Sequence, residues 1–165
     1  MFREVTLSSI VPGHLYLHSM PGRNVSINEV LNSIDKLGIS KIVSLTSQNE
    51  IREKSPDYAK SIENHELRTP ILNFPVIDYG VPEDIETYIE LSKQIANSLR
   101  IGETILIHCG AGIGRTGTFA ISVLMSLGVN LELASRIVNK AKSNPENKEQ
   151  KELLERLRTH PNLSV

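Results

Sequence analysis

The sequence predicts an α/β protein in which a mainly parallel central sheet is flanked by helices. Two observations predict it. Short apolar, β-branched runs alternate along the chain with longer stretches whose apolar residues recur every three or four positions, the alternation of strand and helix units. One of those runs ends in a glycine-rich loop that opens at once into a helical pattern, as strands of an open α/β sheet do. The chain of 165 residues has the length of a single domain, assigned to residues 1–165.

Taken in order, Leu15, Tyr16 and Leu17 read as the first strand. Ser26 with Glu29 makes a capping box for a helix whose apolar stripe is Ile27, Val30, Leu31, Ile34 and Leu37. Residues 41–45 give the next strand and residues 71–76 another, with the polar stretch 46–68 between them reading as a surface loop with a short helix. Pro82 begins a long helix carrying Ile85, Tyr88, Ile89, Ile95 and Leu99. Thr104, Ile105, Leu106 and Ile107 form the central strand, and three helices follow it. The first of these runs through Phe119, Ala120, Val123, Leu124 and Leu127 and stops before Gly128; the last carries Leu153, Leu154 and Leu157.

A net charge of −1 gives no electrostatic case for nucleic acid or a membrane surface as a partner. Met1-Phe2-Arg3-Glu4 leads into no long apolar stretch, so neither a signal peptide nor a membrane span is expected. A single cysteine, expected to be reduced, points to a cytoplasmic location. His14, His18, His65, His108 and His160 show no zinc spacing, and His14 and His18 share a strand face with no further ligand nearby in sequence. Neither a metal nor an organic cofactor is expected.

That cysteine, Cys109, lies just past the central strand in His108-Cys109-Gly110-Ala111-Gly112-Ile113-Gly114-Arg115-Thr116-Gly117. No residue from Gly110 to Arg115 is proline, so each has an N–H to offer, and three glycines allow positive φ and close backbone approach. At the start of a helix such a loop can wrap an anion. Arg115, a cation in the first turn, is best tolerated if an anion sits there too, and its guanidinium would bind two phosphate oxygens at once. The same positive surroundings favour thiolate over thiol. By itself a lone cysteine reads as a small buried core residue; the whole constellation reverses that reading.

The segment resembles the active-site signature of the cysteine-dependent protein tyrosine phosphatases: His-Cys, five residues, then Arg-Ser/Thr-Gly. The resemblance implies Cys109 as nucleophile, Arg115 as phosphate clamp, and Thr116 as the hydroxyl that helps the thiolate leave. It implies His108 as a support of the cysteine loop, with the backbone of Gly110, Ala111, Gly112, Ile113 and Gly114 around the phosphate. Pro75-Val76-Ile77-Asp78-Tyr79-Gly80-Val81-Pro82 fits the family's general-acid segment and implicates Asp78, whose alternative is a turn-forming aspartate before Tyr79-Gly80. Glu83 and Asp84 read instead as acids complementing a helix dipole. Gln150 matches the family's water-positioning glutamine, or equally a glutamine on a solvated helix start. The resemblance implies the small dual-specificity phosphatase fold, the chain being too short for the larger tyrosine-specific domains, whereas the loop resembles that of tyrosine-specific members, and no Lys-Asn-Arg-Tyr segment of the larger domains is present.

The resemblance therefore implies a protein phosphatase that hydrolyses phosphotyrosine, either alone or together with phosphoserine and phosphothreonine, through a phosphocysteine intermediate. The uncharged loop favours a phosphorylated protein or peptide over phosphoinositides, whose phosphatases carry loop lysines. The alternatives are a phosphatase of a polyphosphorylated small molecule or an RNA 5′ end, which would want basic residues near the loop, and a non-catalytic phosphate-binding module. Intact Cys109 and Arg115 disfavour the module, and the Arg-Thr-Gly ending disfavours sulfur transfer.

Overall fold

The apolar runs pair into one five-stranded sheet. In the computed structural model, which describes residues 1–161 and 163, the strands are β1 (Arg3–Val5), β2 (His14–His18), β3 (Lys41–Ser44), β4 (Ile71–Asn73) and β5 (Thr104–His108). Their order is β1-β2-β5-β3-β4; β1 runs antiparallel to β2, and the other three pairings are parallel. β5 is therefore central and needs apolar residues on both faces. Ile105 and Ile107 join Leu15, Leu17, Val43 and Leu45 in one core cluster, and Leu106 joins Ile42 in another.

Seven helices cover those faces among the described residues. The helix α1 (Ile27–Leu37) packs Val30 and Ile34 against Ile42 and Leu106, beside α2 (Gln48–Lys54) and α3 (Pro56–Glu63) with their buried Ile51, Tyr58 and Ala59. The opposite core takes α4 (Ile85–Arg100), α5 (Gly114–Ser126), α6 (Leu131–Lys140) and α7 (Lys148–Arg158). At its centre Phe119 meets Tyr88 edge-on, with ring centroids 5.1 Å apart. Every residue of α5 is buried, and the loop that precedes it buries Gly110 and Gly112 while leaving Ala111 exposed.

The sheet and most helices agree with the sequence expectation, and four details differ. The stretch 46–68 forms two helices, because Ile51 and Tyr58 give it an inward face that its polar average hides. The long helix begins at Ile85 rather than at Pro82: Asp84 is its N-cap, accepting the Thr87 N–H at 3.0 Å and the Thr87 hydroxyl at 2.6 Å. β4 ends at Asn73, after which Phe74 and Val76 still donate to the carbonyls of Ser44 and Leu45. β1 had no signal in its three-residue run. The capping hydroxyl of Ser26 accepts the Glu29 N–H at 3.3 Å, and the chain leaves α1 through Gly38 in the left-handed conformation.

Candidate active site

Strand β5 delivers His108 and Cys109 to its carboxyl end, and the loop turns back over them into α5. Within it, Gly112 folds so that its N–H donates to Cys109 Sγ at 3.2 Å. That turn requires glycine: φ is +75°, and a Cβ would lie 2.3 Å from the His18 carbonyl oxygen. Gly110 is closely approached by side chains, since a Cβ there would lie 2.9 Å from Glu50 Oε1, 3.2 Å from Arg115 Nη2 and 3.3 Å from Arg23 Nη1. The first turn of α5 has no acidic residue of its own and no side-chain cap, although the Glu146 carboxylate packs against Gly114, where a Cβ would lie 2.1 Å from its Oε2.

Arg115 is held from three directions. Glu50, from α2, takes it in a two-pronged pair, Nη1 to Oε2 at 2.8 Å and Nη2 to Oε1 at 2.9 Å. Its Nη2 also donates to Asp78 Oδ1 at 2.8 Å, and its Nη1 to the Val76 carbonyl at 2.8 Å. Lys54 completes the set with 3.0 Å to Glu50 and 3.3 Å to Asp78. Burial opposes the Glu50 charge, yet hydrogen bonds from Arg115 and Lys54 outweigh it and hold the carboxyl below its ordinary pKa. With the guanidinium 2% exposed, these contacts fix its plane. Two buried polar atoms find no partner among the described residues: Arg115 Nε and Thr116 Oγ1. Native interiors rarely leave such groups unpaired, so each has hydrogen-bonding capacity left for a water or a bound ligand.

His108 is fully buried, with Nε2 3.2 Å from the Tyr58 hydroxyl and Nδ1 3.4 Å from the Cys109 carbonyl. Burial pushes its pKa down to about 4, so the ring is neutral at physiological pH. An unfolded histidine binds its proton near pH 6.5, so between these values the unfolded chain holds more protons than the folded one and stability falls as pH falls. From about pH 7 to about pH 5 this group should cost roughly 2 kcal/mol, in the same direction as His18, whose pKa burial also lowers. Urea titrations of wild type and His108→Gln at both pH values measure it: the variant should lose roughly 2 kcal/mol less over that interval.

Asp78 lies on the turn 77–80 with its side chain 49% exposed, between Ile77 and Tyr79, which are themselves exposed. Tyr79 has φ +59°, a conformation that costs a non-glycine residue energy. Two contacts from the start of α7 hold it: Asn147 Nδ2 donates to the Tyr79 carbonyl, and Gln150 Nε2 to the Gly80 carbonyl at 3.2 Å. Gln150 is 1% exposed, and its Oε1 accepts the Glu146 N–H at 2.8 Å. Through Nε2, Gln150 thus ties α7 to the Asp78 turn, while its Oε1 holds the segment that leads into the helix. Glu83 is exposed, and Asp84 serves as the helix cap already described.

The residues expected from the sequence, Cys109, Arg115, Thr116, His108 and Asp78, come together at one end of the sheet; Gln150 reaches the same region through Gly80. Glu50, Tyr58 and Lys54 were not expected there, nor was Arg3, whose guanidinium reaches the Gly112 carbonyl. The sequence also gave no sign that Arg23, Lys54 and Arg3 would supply cations beside an uncharged loop. The one usable signal was the buried-face pattern of Ile51 and Tyr58 inside the polar stretch.

The family model of the DSP-PTPase phosphatase domain of Swiss Army Knife proteins matches residues 4–165. A probable dual specificity protein phosphatase of Dictyostelium discoideum is 28% identical over 137 residues, covering 82% of this chain and 30% of that protein. Among solved structures, a kinase associated phosphatase with its catalytic-site cysteine replaced by serine superposes with a TM-score of 0.80 at 19% identity, covering 97% of each chain. Tk-PTP in its active form gives 0.72 at 25% identity, covering 94% of this chain and 96% of that one. The chain spans a third or less of the length of the first curated relatives it matches.

Proposed function

Because the chain belongs to the DSP-PTPase phosphatase family, we propose that it hydrolyses phosphate monoesters on proteins, phosphotyrosine first among them, through a phosphocysteine intermediate. The observation that carries this reading is the pair of unpartnered buried groups, Arg115 Nε and Thr116 Oγ1, at the end of a loop whose Gly112 amide already donates to the Cys109 sulfur. In the first step Cys109 Sγ attacks phosphorus in line, forming the S–P bond as the P–O bond to the leaving group breaks. The loop amides and Arg115 hold the equatorial oxygens. Asp78 gives its proton to the departing oxygen; water then attacks the phosphocysteine, Asp78 takes a proton from it, and the sulfur leaves, aided by the Thr116 hydroxyl.

His108 acts in this scheme as a neutral support, since Tyr58 and the Cys109 carbonyl engage both ring nitrogens. Gln150 serves chiefly to steady the turn that carries Asp78. Residues 1–165 act as one phosphatase domain with no metal or organic cofactor. The proposed location is the cytoplasm; no helix among the described residues is long and apolar enough to cross a membrane. A nucleic acid or membrane partner is not part of the proposal.

One observation favours a second reading within the same chemistry. Arg23 stands beside Gly110, and Lys54 beside Asp78, so the rim could hold a substrate bearing more than one phosphate. The test is a rate assay on p-nitrophenyl phosphate followed by phosphotyrosine, phosphoserine and phosphothreonine peptides and an inositol polyphosphate. Preference for the phosphotyrosine peptide supports the first reading, and preference for the polyphosphate supports the second. No turnover of any of them rejects both.

A further inference from the structure

The Gly112 carbonyl is held by two donors from distant parts of the chain. Arg3, on the edge strand β1, donates through Nη2 at 2.6 Å, and the Ser143 hydroxyl, after α6, donates at 2.7 Å. The two donors also hold each other, with Arg3 Nη1 3.1 Å from Ser143 Oγ and 2.7 Å from the Lys142 carbonyl. Lys142 turns back at φ +56°, which presents that carbonyl and buries Ser143 completely. Residues 3, 112 and 143 are thus fastened at one point.

The peptide plane gives this fastening its effect. In a trans peptide the C=O of one residue and the N–H of the next point in opposite directions. Holding the Gly112 oxygen on Arg3 and Ser143 therefore turns the Ile113 N–H the other way, toward the place where an anion meets Cys109 and Arg115. Rotation of that one plane would exchange a donor for a carbonyl oxygen, which repels a phosphate. Gly112 supplies one of the two torsions about which that plane turns, so the backbone on that side offers little resistance to such a rotation.

We propose that Arg3, acting with Ser143, is a positioning residue that locks the active-site loop in its anion-receiving orientation. The inference rests on the phosphatase reading of the site and extends it to a residue on the edge strand. Arg3 is suited to the task because a planar guanidinium can satisfy several acceptors in fixed directions, whereas an ammonium cannot. Burial lowers the Arg3 pKa and the negative charge at Cys109 opposes that shift, so the guanidinium lies within the electrostatic reach of the nucleophile.

Protection of Cys109 from iodoacetamide by tungstate, an oxyanion, tests the lock in the full chain without requiring turnover. The concentration of tungstate that halves the alkylation rate should rise about ten-fold or more in Arg3→Ala and about three- to five-fold in Ser143→Ala. Alkylation without tungstate and the melting temperature show whether each variant is folded. Arg3→Lys, which keeps the charge and loses the fork, should remain close to Arg3→Ala. Wild-type protection in both Arg3→Lys and Ser143→Ala would overturn the proposal, even if Arg3→Ala failed to fold. Failure of the phosphatase reading would look different: wild type would bind tungstate and hydrolyse no phosphate ester, and the comparison of variants would still report on the lock.

Discussion

Cys109→Ser is expected to remove measurable turnover, a fall of at least about 10⁴ and up to about 10⁶ in kcat, while tungstate still binds. The chemistry follows from what surrounds the sulfur. A serine hydroxyl is a weak nucleophile unless a neighbouring base takes its proton. The nearest imidazole cannot serve: both nitrogens of His108 are engaged, and burial holds its pKa down at about 4. Binding draws on other groups, the loop amides and Arg115, none of which the substitution touches. An aryl phosphate assay together with tungstate titration measures both effects. Activity within a hundred-fold of wild type would remove Cys109 from the nucleophile's role.

Asp78→Ala should lower kcat for phosphotyrosine by about 10² to 10⁴, and by much less for an aryl phosphate whose leaving group needs no proton. The substitution also releases one oxygen from Arg115 Nη2 and one from Lys54. Those cations then face the substrate with one carboxylate fewer, so KM should fall or hold steady while kcat drops. The Asp78 carboxyl is half-exposed, and its removal should leave the melting temperature nearly unchanged. Steady-state kinetics on a phosphotyrosine peptide and on p-nitrophenyl phosphate check the split. Equal losses on both substrates would assign Asp78 to binding rather than to proton transfer.

What the sequence disclosed and what it withheld divide along contact range. The strand, loop and helix around Cys109 were legible because the anion site is contiguous: donors, nucleophile and Arg115 lie within ten residues, and the period changes from strand to helix around them. Asp78 was legible through its own local pattern. Glu50 was not, because its role exists only once α2 swings it onto a guanidinium 65 positions away. Arg3 is 109 residues from its acceptor, in a strand too short to carry a periodic signal. Gln150 shows the same limit from the other side, since its position was visible while the Gly80 carbonyl it holds was not.

Asn147 joins two parts of the molecule through one side chain. Its Oδ1 caps α7 by accepting the Gln150 N–H at 2.9 Å, and its Nδ2 binds the Tyr79 carbonyl on the turn that carries Asp78. The helix end and the turn therefore share a conformational free energy. Opening of the first turn of α7 would remove a donor from the Tyr79 carbonyl, so hydrogen exchange at the Gln150 amide reports on the stability of the support beneath the Asp78 turn.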